Sequence, residues 1–281
     1  MPLPLKVYHS TAGLVVESDG QCRVLPAEFD FDRLFTSAEP AQILHAAFAS
    51  GKPVARPEAV LAPIGRQEVW AAGVTYLRSK AARVAESTDA GGGAFYDKVY
   101  EAARPELFFK ATPHRVAASG GKVCIRGDSH WNVPEPELTL AINAAGRIFG
   151  YTIGNDMSSR DIEAENPLYL PQAKTYDRSA ALGPCLWVSE VAPSPSTEIR
   201  LRIRRGGVAV FEGKTTLDRM KRSLPEVAGY LYRSNSFPHG SYLMTGTGIV
   251  PPDEFSLLVD DVVEISIDPI GTLINTVTLA P

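Results

Sequence analysis

Glu135 and Glu137, two positions apart in VPEPELTLAIN, and Asp156 in GYTIGNDMSSRD are the residues whose type and spacing point most directly to chemistry. Side chains at i and i+2 of a β-strand share a face, so the two glutamates project to one side. If residues 143–146 turn the chain with 143 facing 146, position 135 faces 154 and Asp156 lies opposite Val133. Strand parity then puts all three carboxylates on one face, whereas a bulge or a one-residue slip would reverse it. Like charges so placed repel, by about 4 kcal/mol for a pair ~4 Å apart at an effective dielectric of ~20. A divalent cation resolves the conflict. An all-oxygen set suits Mg²⁺, with Mn²⁺ or Ca²⁺ as substitutes, and Mg²⁺ would keep open positions for water or substrate. Spacing alone leaves a second reading open, in which Glu-x-Glu is the solvated face of an edge strand.

The elements that must carry these residues are mostly strands. LFFKA, KVCI, LTLAIN, RIFGYTI, CLWVSEV, IRLRIRRGGVAVF, SYLMTG, FSLLV and VVEISI follow one another after residue 107, with one late helix started by the capping box Ser223/Glu226. Upstream, EVWAAGV predicts a strand, and helical stretches are expected around residues 76–87 and 95–103, separated by Gly91, Gly92 and Gly93. The first fifty residues hold a hairpin turning at Asp19-Gly20 and a short helix within residues 37–51. Pro53, Pro57 and Pro63 then interrupt any regular pattern. We therefore expect an α+β, mainly β fold, with a small N-terminal α+β domain at 1–65 and a catalytic domain at 66–281. The absence of βαβ alternation disfavours a Rossmann or barrel layout.

At 281 residues the chain is about 1.9 times the ~150 of an average domain. Its 44% hydrophobic and 21% charged residues are ordinary for a globular protein. Lys and Arg total 28 against 32 Asp and Glu, and the net charge of −4 gives no footprint for nucleic acid. No apolar run approaches the roughly eighteen residues of a membrane span, and no basic-then-apolar leader opens the sequence. Cys22, Cys124 and Cys185 are odd in number and far apart, and read as reduced thiols in a cytoplasmic protein.

Glu135-Pro-Glu137-Leu, GYTIGNDMSSRD over 150–161, Lys174 and Leu182-Gly183-Pro184 together resemble the signature of the fumarylacetoacetate hydrolase superfamily. Gly73-Val-Thr-Tyr76, PELFFKA from Pro105, Thr245-Gly246-Thr247-Gly248 and the terminal DDVVEISIDPIGTLINTV agree, so the resemblance covers roughly residues 68–281. It implies a β-sandwich roll with peripheral helices, a homodimer or homotetramer, and Mg²⁺ on Glu135, Glu137 and Asp156. Hydrolytic members carry Tyr-x-x-His-x-x-Glu, whose His and Glu activate water. Here Ser79 stands at the His position and Ala82 at the Glu position. GVTYLRS, PELFFKAT and NPLYLPQAK are instead similar to the 2-keto-3-deoxy-pentonate dehydratase branch. That resemblance implies formation of 2,5-dioxopentanoate and water from a 2-keto acid, with Glu106 and Lys174 acting beside the metal.

Lys174 is the first choice as the C3 base and Glu106 as its partner acid or base, although the two could exchange and a Schiff base on Lys174 is open. Arg78, Lys110 or the amides of 245–248, including Thr245 and Gly246, would hold an anion. Ser79, Gln172 or Thr247 would hydrogen-bond the polar tail. Ser158 and Asp161 match a helix cap, so Arg160 and Asp161 either brace the Asp156 segment or touch substrate. Two other readings stay open: a C–C bond hydrolase or decarboxylase acting on an acylpyruvate or 2,4-diketo acid, and a metal-stabilised binding protein whose catalytic groups have decayed.

Overall fold

The structure is a computed structural model that describes residues 4–77 and 98–281. Arg78, Ser79, the glycines at 91–93 and most of the two helical stretches expected around them lie outside the described residues.

Among the described residues the strands form two sheets, one of eleven strands and one of five. The larger is centred on the antiparallel pair Asn132–Ile142 and Ile148–Ser159. Beyond Ile148–Ser159 come Ala180–Val188 and then Leu5–Ser10, Gly13–Ser18, Gln21–Val24 and Lys52–Pro53. Beyond Asn132–Ile142 come Ser241–Met244, Glu68–Gly73 and the edge strand Glu106–Ala111. One face of this sheet packs Leu138, Leu140, Ile142 and Ile153 against Ile199, Leu201, Val263, Ile265 and Leu273 of the five-stranded sheet. The opposite face gathers Val69, Ala71, Ala141, Phe149, Leu182 and Met244 with Leu5, Val7, Phe31, Phe35 and Leu44. The first fifty-odd residues thus extend the same sheet and share its second hydrophobic cluster. Gln67 ties them down: its amide nitrogen donates to Asp32 and to the His239 carbonyl.

Local chemistry explains the well-placed elements. Asp19 and Gly20 both take positive φ, 48° and 73°, as a two-residue hairpin turn requires. Ser223 Oγ accepts from the Glu226 amide at 3.3 Å and starts the helix Leu224–Leu231. FSLLV, expected as a strand, is a loop, because its backbone donors go elsewhere: the Leu257 amide to the Asn132 carbonyl and the Leu258 amide to the Asp261 carboxylate. The Ser158/Asp161 cap does not form either. Ser159 is the N-cap of Arg160–Glu165 and makes no side-chain cap bond, while Asp161 accepts from Ser129 Oγ and the His130 amide.

The central hairpin corrects the expected register while keeping its parity. Ile142 faces Ile148 and not residue 147, a one-residue change at the turn, and a bulge before Gly150 adds another. Either shift alone would have turned Asp156 to the wrong face; together they cancel, and Asp156 faces Glu135 directly, with Gly154 opposite Glu137. The strand also starts earlier than its apolar run, at Asn132, despite Pro134 and Pro136. The Thr245 amide bonds to the Leu138 carbonyl, so even-numbered residues here point their backbone groups away from the hairpin partner. Ser241–Met244 pairs only as far as Thr139, so the missing proline donors face no ladder.

The large sheet must curl. Its edge strand Glu106–Ala111 is four hydrogen-bonded steps from Ile148–Ser159, about 19 Å if flat at ~4.8 Å per step. Yet Lys110 Nζ lies 2.6 Å from Asp156 Oδ1. The carboxylates therefore sit on a concave face.

Gly154 sits where strand packing is tight, since a Cβ built there would overlap Thr139 Oγ1 and press on Met244. Gly154→Ala should lower stability by about 1–3 kcal/mol in urea unfolding, with part of the loss recovered in the Gly154→Ala/Thr139→Ala double variant. Wild-type stability for Gly154→Ala would show that the face is less crowded than this packing requires.

Candidate metal centre and active site

Glu135, Glu137 and Asp156 are 5%, 1% and 1% exposed, so the solvated-edge reading of Glu-x-Glu does not apply. One oxygen from each lies within 4.8 Å of the others, a separation that a shared cation with bonds of about 2.1–2.6 Å spans. Three carboxylate donors without nitrogen or sulfur fit a hard dication such as Mg²⁺. Burial, then the neighbouring Asp156 and Glu135 charges, push the Glu137 carboxyl well above the usual carboxylate range. The Gly246 amide opposes this by donating to Glu137 Oε2 at 2.6 Å.

Three cations face these three acids. Lys174 Nζ is 2.7 Å from Glu135 Oε2 and 3.4 Å from Asp156 Oδ2. Arg160 Nη2 is 3.1 Å from Glu135 Oε1, and Lys110 meets the other oxygen of Asp156. With protein charges alone the cluster is balanced, so a dication bound there would add positive charge for an anionic ligand. That replaces the simple expectation of three uncompensated carboxylates.

Lys174 ends the short helix Leu170–Lys174 and is fully buried. Its amine also donates to Ser158 Oγ at 2.6 Å and lies 5.6 Å from the Phe108 ring centroid. Phe108 and Glu106 are alternate residues of the edge strand, one same-face step or roughly 7 Å apart along it. The Glu106 carboxylate lies over Gly73, its cross-strand partner, where any Cβ would overlap Oε2. The glycine of GVTY thus makes room for the acid of PELF.

The remaining expected site residues are placed differently. Lys110 is fully buried and its Nζ has three oxygens against it: Asp156 Oδ1, the Met157 carbonyl at 2.8 Å and the Lys174 carbonyl. Burial foremost pulls its ammonium below the usual lysine range, while Asp156 opposes this. Gln172 is exposed, two helical positions or roughly 200° around from Lys174, and its backbone carbonyl accepts from Arg126. Thr245 Oγ1 donates to the Leu138 carbonyl, and Thr247 Oγ1 bonds within its own turn to residue 249. The Gly246 amide is engaged by Glu137, so the TGTG turn braces a carboxylate in this structure. Gly246 has φ +91°, and a Cβ there would overlap Thr75 Oγ1.

Sequence reading did not single out Ser158 or Tyr76 as site residues, and it left Arg160 between bracing and contact. Ser158 shares the parity of Asp156, the signal that could have found it. Tyr76 is buried, and its phenol is pushed up by burial and then by the Glu137 charge. It lines, with Gly248, Thr215, Asp218 and Arg219, a cavity of about 880 Å³.

The family described as Fumarylacetoacetate (FAA) hydrolase C-terminal matches residues 69–278. A probable 2-keto-3-deoxyxylonate dehydratase of Haloferax volcanii is 47% identical over 217 residues, covering 77% of this chain and 74% of that protein. The 2-dehydro-3-deoxy-D-arabinonate dehydratase of Saccharolobus solfataricus is 46% identical over 218 residues, covering 76% and 73%. Among solved structures, 2-keto-3-deoxy-D-arabinonate dehydratase complexed with magnesium and 2,5-dioxopentanoate superposes with a TM-score of 0.83 at 34% identity, over 99% of both chains.

A metal and a proton compete for Glu137. Because the folded state holds that proton above the unfolded carboxyl range near 4.3, its contribution to metal-free stability is full below that range. It is lost as pH rises through the raised folded value. Mg²⁺ should therefore raise the melting temperature more above that raised value than below it in a series from pH 5 to pH 9, and Glu137→Gln should flatten this dependence and weaken Mg²⁺ binding. Mg²⁺ stabilisation of Glu137→Gln equal to that of the wild type throughout the series would remove Glu137 from the metal set.

Proposed function

The chain belongs to the fumarylacetoacetate hydrolase family, and from that premise we propose that it is a Mg²⁺-dependent hydro-lyase. Its substrate is a 2-keto-3-deoxy-pentonate (2-dehydro-3-deoxy-D-arabinonate or D-xylonate), converted to 2,5-dioxopentanoate and water. The observation that carries the reading is Lys174 lodged against Glu135 and Asp156, the carboxylates that would hold the ion. Relatives 46–47% identical that are named as dehydratases support it.

Held by Glu135, Glu137 and Asp156, Mg²⁺ would supply charge that draws in a 2-keto acid and polarises its C2 carbonyl. A lysine beside a dication favours its neutral form, and Lys174 so placed removes the C3 proton. Glu106, across from it on the edge strand, protonates the departing C4 hydroxyl, which leaves as water. Loss of one C5 proton and of the C5 hydroxyl proton, matched by protonation at C3 and C4, then gives the C5 aldehyde. No water is activated, in keeping with Ser79 and Ala82 where hydrolytic members have His and Glu. Arg78 and Ser79 are proposed to hold the substrate's polar groups, with Thr245, Gly246 and Thr247 shaping the wall beside Glu137. We also propose a homodimer or homotetramer, a cytoplasmic location, and a unit boundary near residue 65 testable by limited proteolysis. No helix among the described residues is long and apolar enough to cross a membrane.

Incubation with 2-keto-3-deoxy-pentonate should yield the semialdehyde with Mg²⁺ and none after chelation. Cleavage of acylpyruvates, with no turnover of any 2-keto-3-deoxy acid, would assign a hydrolase or decarboxylase instead. Lys174→Met should lower kcat by about 10²–10⁴-fold. Gly73→Ala should lower kcat in the same direction as Glu106→Gln, because its Cβ takes the space of that carboxylate; full activity in both would exclude Glu106 from the proton transfers.

A further inference from the structure

We propose that Lys110 and Ser158 are positioning residues that grip Lys174 at its two ends and fix it to the strand bearing Asp156. The proposal rests on the reading of Lys174 as the catalytic base. Lys174 is the last residue of a five-residue helix, too short to hold its own terminus, and its side chain has four rotatable bonds. At the backbone end, Lys110 Nζ donates to the Lys174 carbonyl while contacting Asp156 Oδ1 and donating to the Met157 carbonyl. A cation on a terminal helical carbonyl is a favourable C-terminal contact. Thr175 adds to the same docking, its Oγ1 donating to the Phe109 carbonyl at 3.2 Å. At the amine end, Ser158 Oγ accepts from Lys174 Nζ at 2.6 Å and donates to the Asp156 carbonyl at 3.1 Å.

An ammonium has three N–H bonds, and three oxygens lie against that of Lys110, so a substrate anion would have to displace one of them. Neutralising Asp156 accounts for a cation there but not for its placement, since a counter-ion alone has no need of the Lys174 carbonyl. What Lys110 supplies that an apolar residue cannot is a link between a metal-ligating carboxylate and the peptide that carries the base. The two parts of the reaction centre then move together.

The test compares Ser158→Ala, Ser158→Thr and Lys110→Met in the full chain, using steady-state kinetics with 2-keto-3-deoxy-pentonate. A second readout is acetic anhydride labelling of Lys174 in the metal-free protein, quantified by mass spectrometry. Ser158→Ala and Lys110→Met should lower kcat about tenfold to a hundredfold with little change in KM, as expected for a misplaced base. Ser158→Thr should restore most of the Ser158→Ala loss. Lys174 should label several-fold faster in Ser158→Ala and Lys110→Met than in wild type. A rise in KM at constant kcat for Lys110→Met would make Lys110 a substrate ligand and overturn the proposal, as would unchanged labelling in the folded Ser158→Ala variant. If the wild type does not turn over this substrate, the dehydratase reading fails, while the labelling comparison still decides whether the grip exists.

Discussion

Three buried carboxylates facing three buried cations on the concave side of one sheet are the constraint around which this molecule is organised. Any one of these charges left alone away from water would cost several kcal/mol, so each has to be met by a partner of opposite sign or by a hydrogen bond. Asp156 and Glu135 share Lys174, and Lys110 and Arg160 meet their remaining oxygens. Glu137 takes a backbone amide at one oxygen. A cluster balanced in this way becomes net positive with a dication, and stays so when Lys174 is neutral. That suits a 2-keto acid, which brings a carboxylate and then develops further negative charge as its C3 proton leaves.

The fold exists to bring these groups together from distant parts of the chain. The long hairpin supplies the carboxylates, the edge strand Glu106–Ala111 supplies Glu106 and Lys110, and the helix Leu170–Lys174 supplies Lys174. Curling of the large sheet brings the edge strand within reach of the hairpin. Glycines permit the closest approaches: Gly73 beneath Glu106, Gly154 beside Thr139 and Gly246 against Thr75.

The three carboxylates were legible because a two-residue period leaves parity readable even when register is not. The estimated register was two residues out, yet a longer turn and a bulge offset one another and Asp156 stayed on the correct face. The early start of Asn132–Ile142 was hidden by Pro134 and Pro136, whose tolerance depends on where a neighbouring strand ends. Lys110 read as an anion binder because nothing local shows that its amine would be surrounded by oxygens from residues 156, 157 and 174. Gln172 lies close to Lys174 in sequence but on another side of the helix. The N-terminal segment read as a unit from its prolines, whereas its pairing of Leu5–Ser10 with Ala180–Val188 is a long-range contact.

The central claim is that Glu135, Glu137 and Asp156 jointly ligate a dication next to Lys174. Crystals soaked in Mn²⁺ and measured for anomalous scattering address it most directly. One strong anomalous peak is expected within bonding distance of an oxygen from each carboxylate, with Lys174 Nζ moved off the Glu135 and Asp156 oxygens and still on Ser158 Oγ. A protein whose bound manganese lies elsewhere, with the Lys174 ion pairs intact, would contradict it.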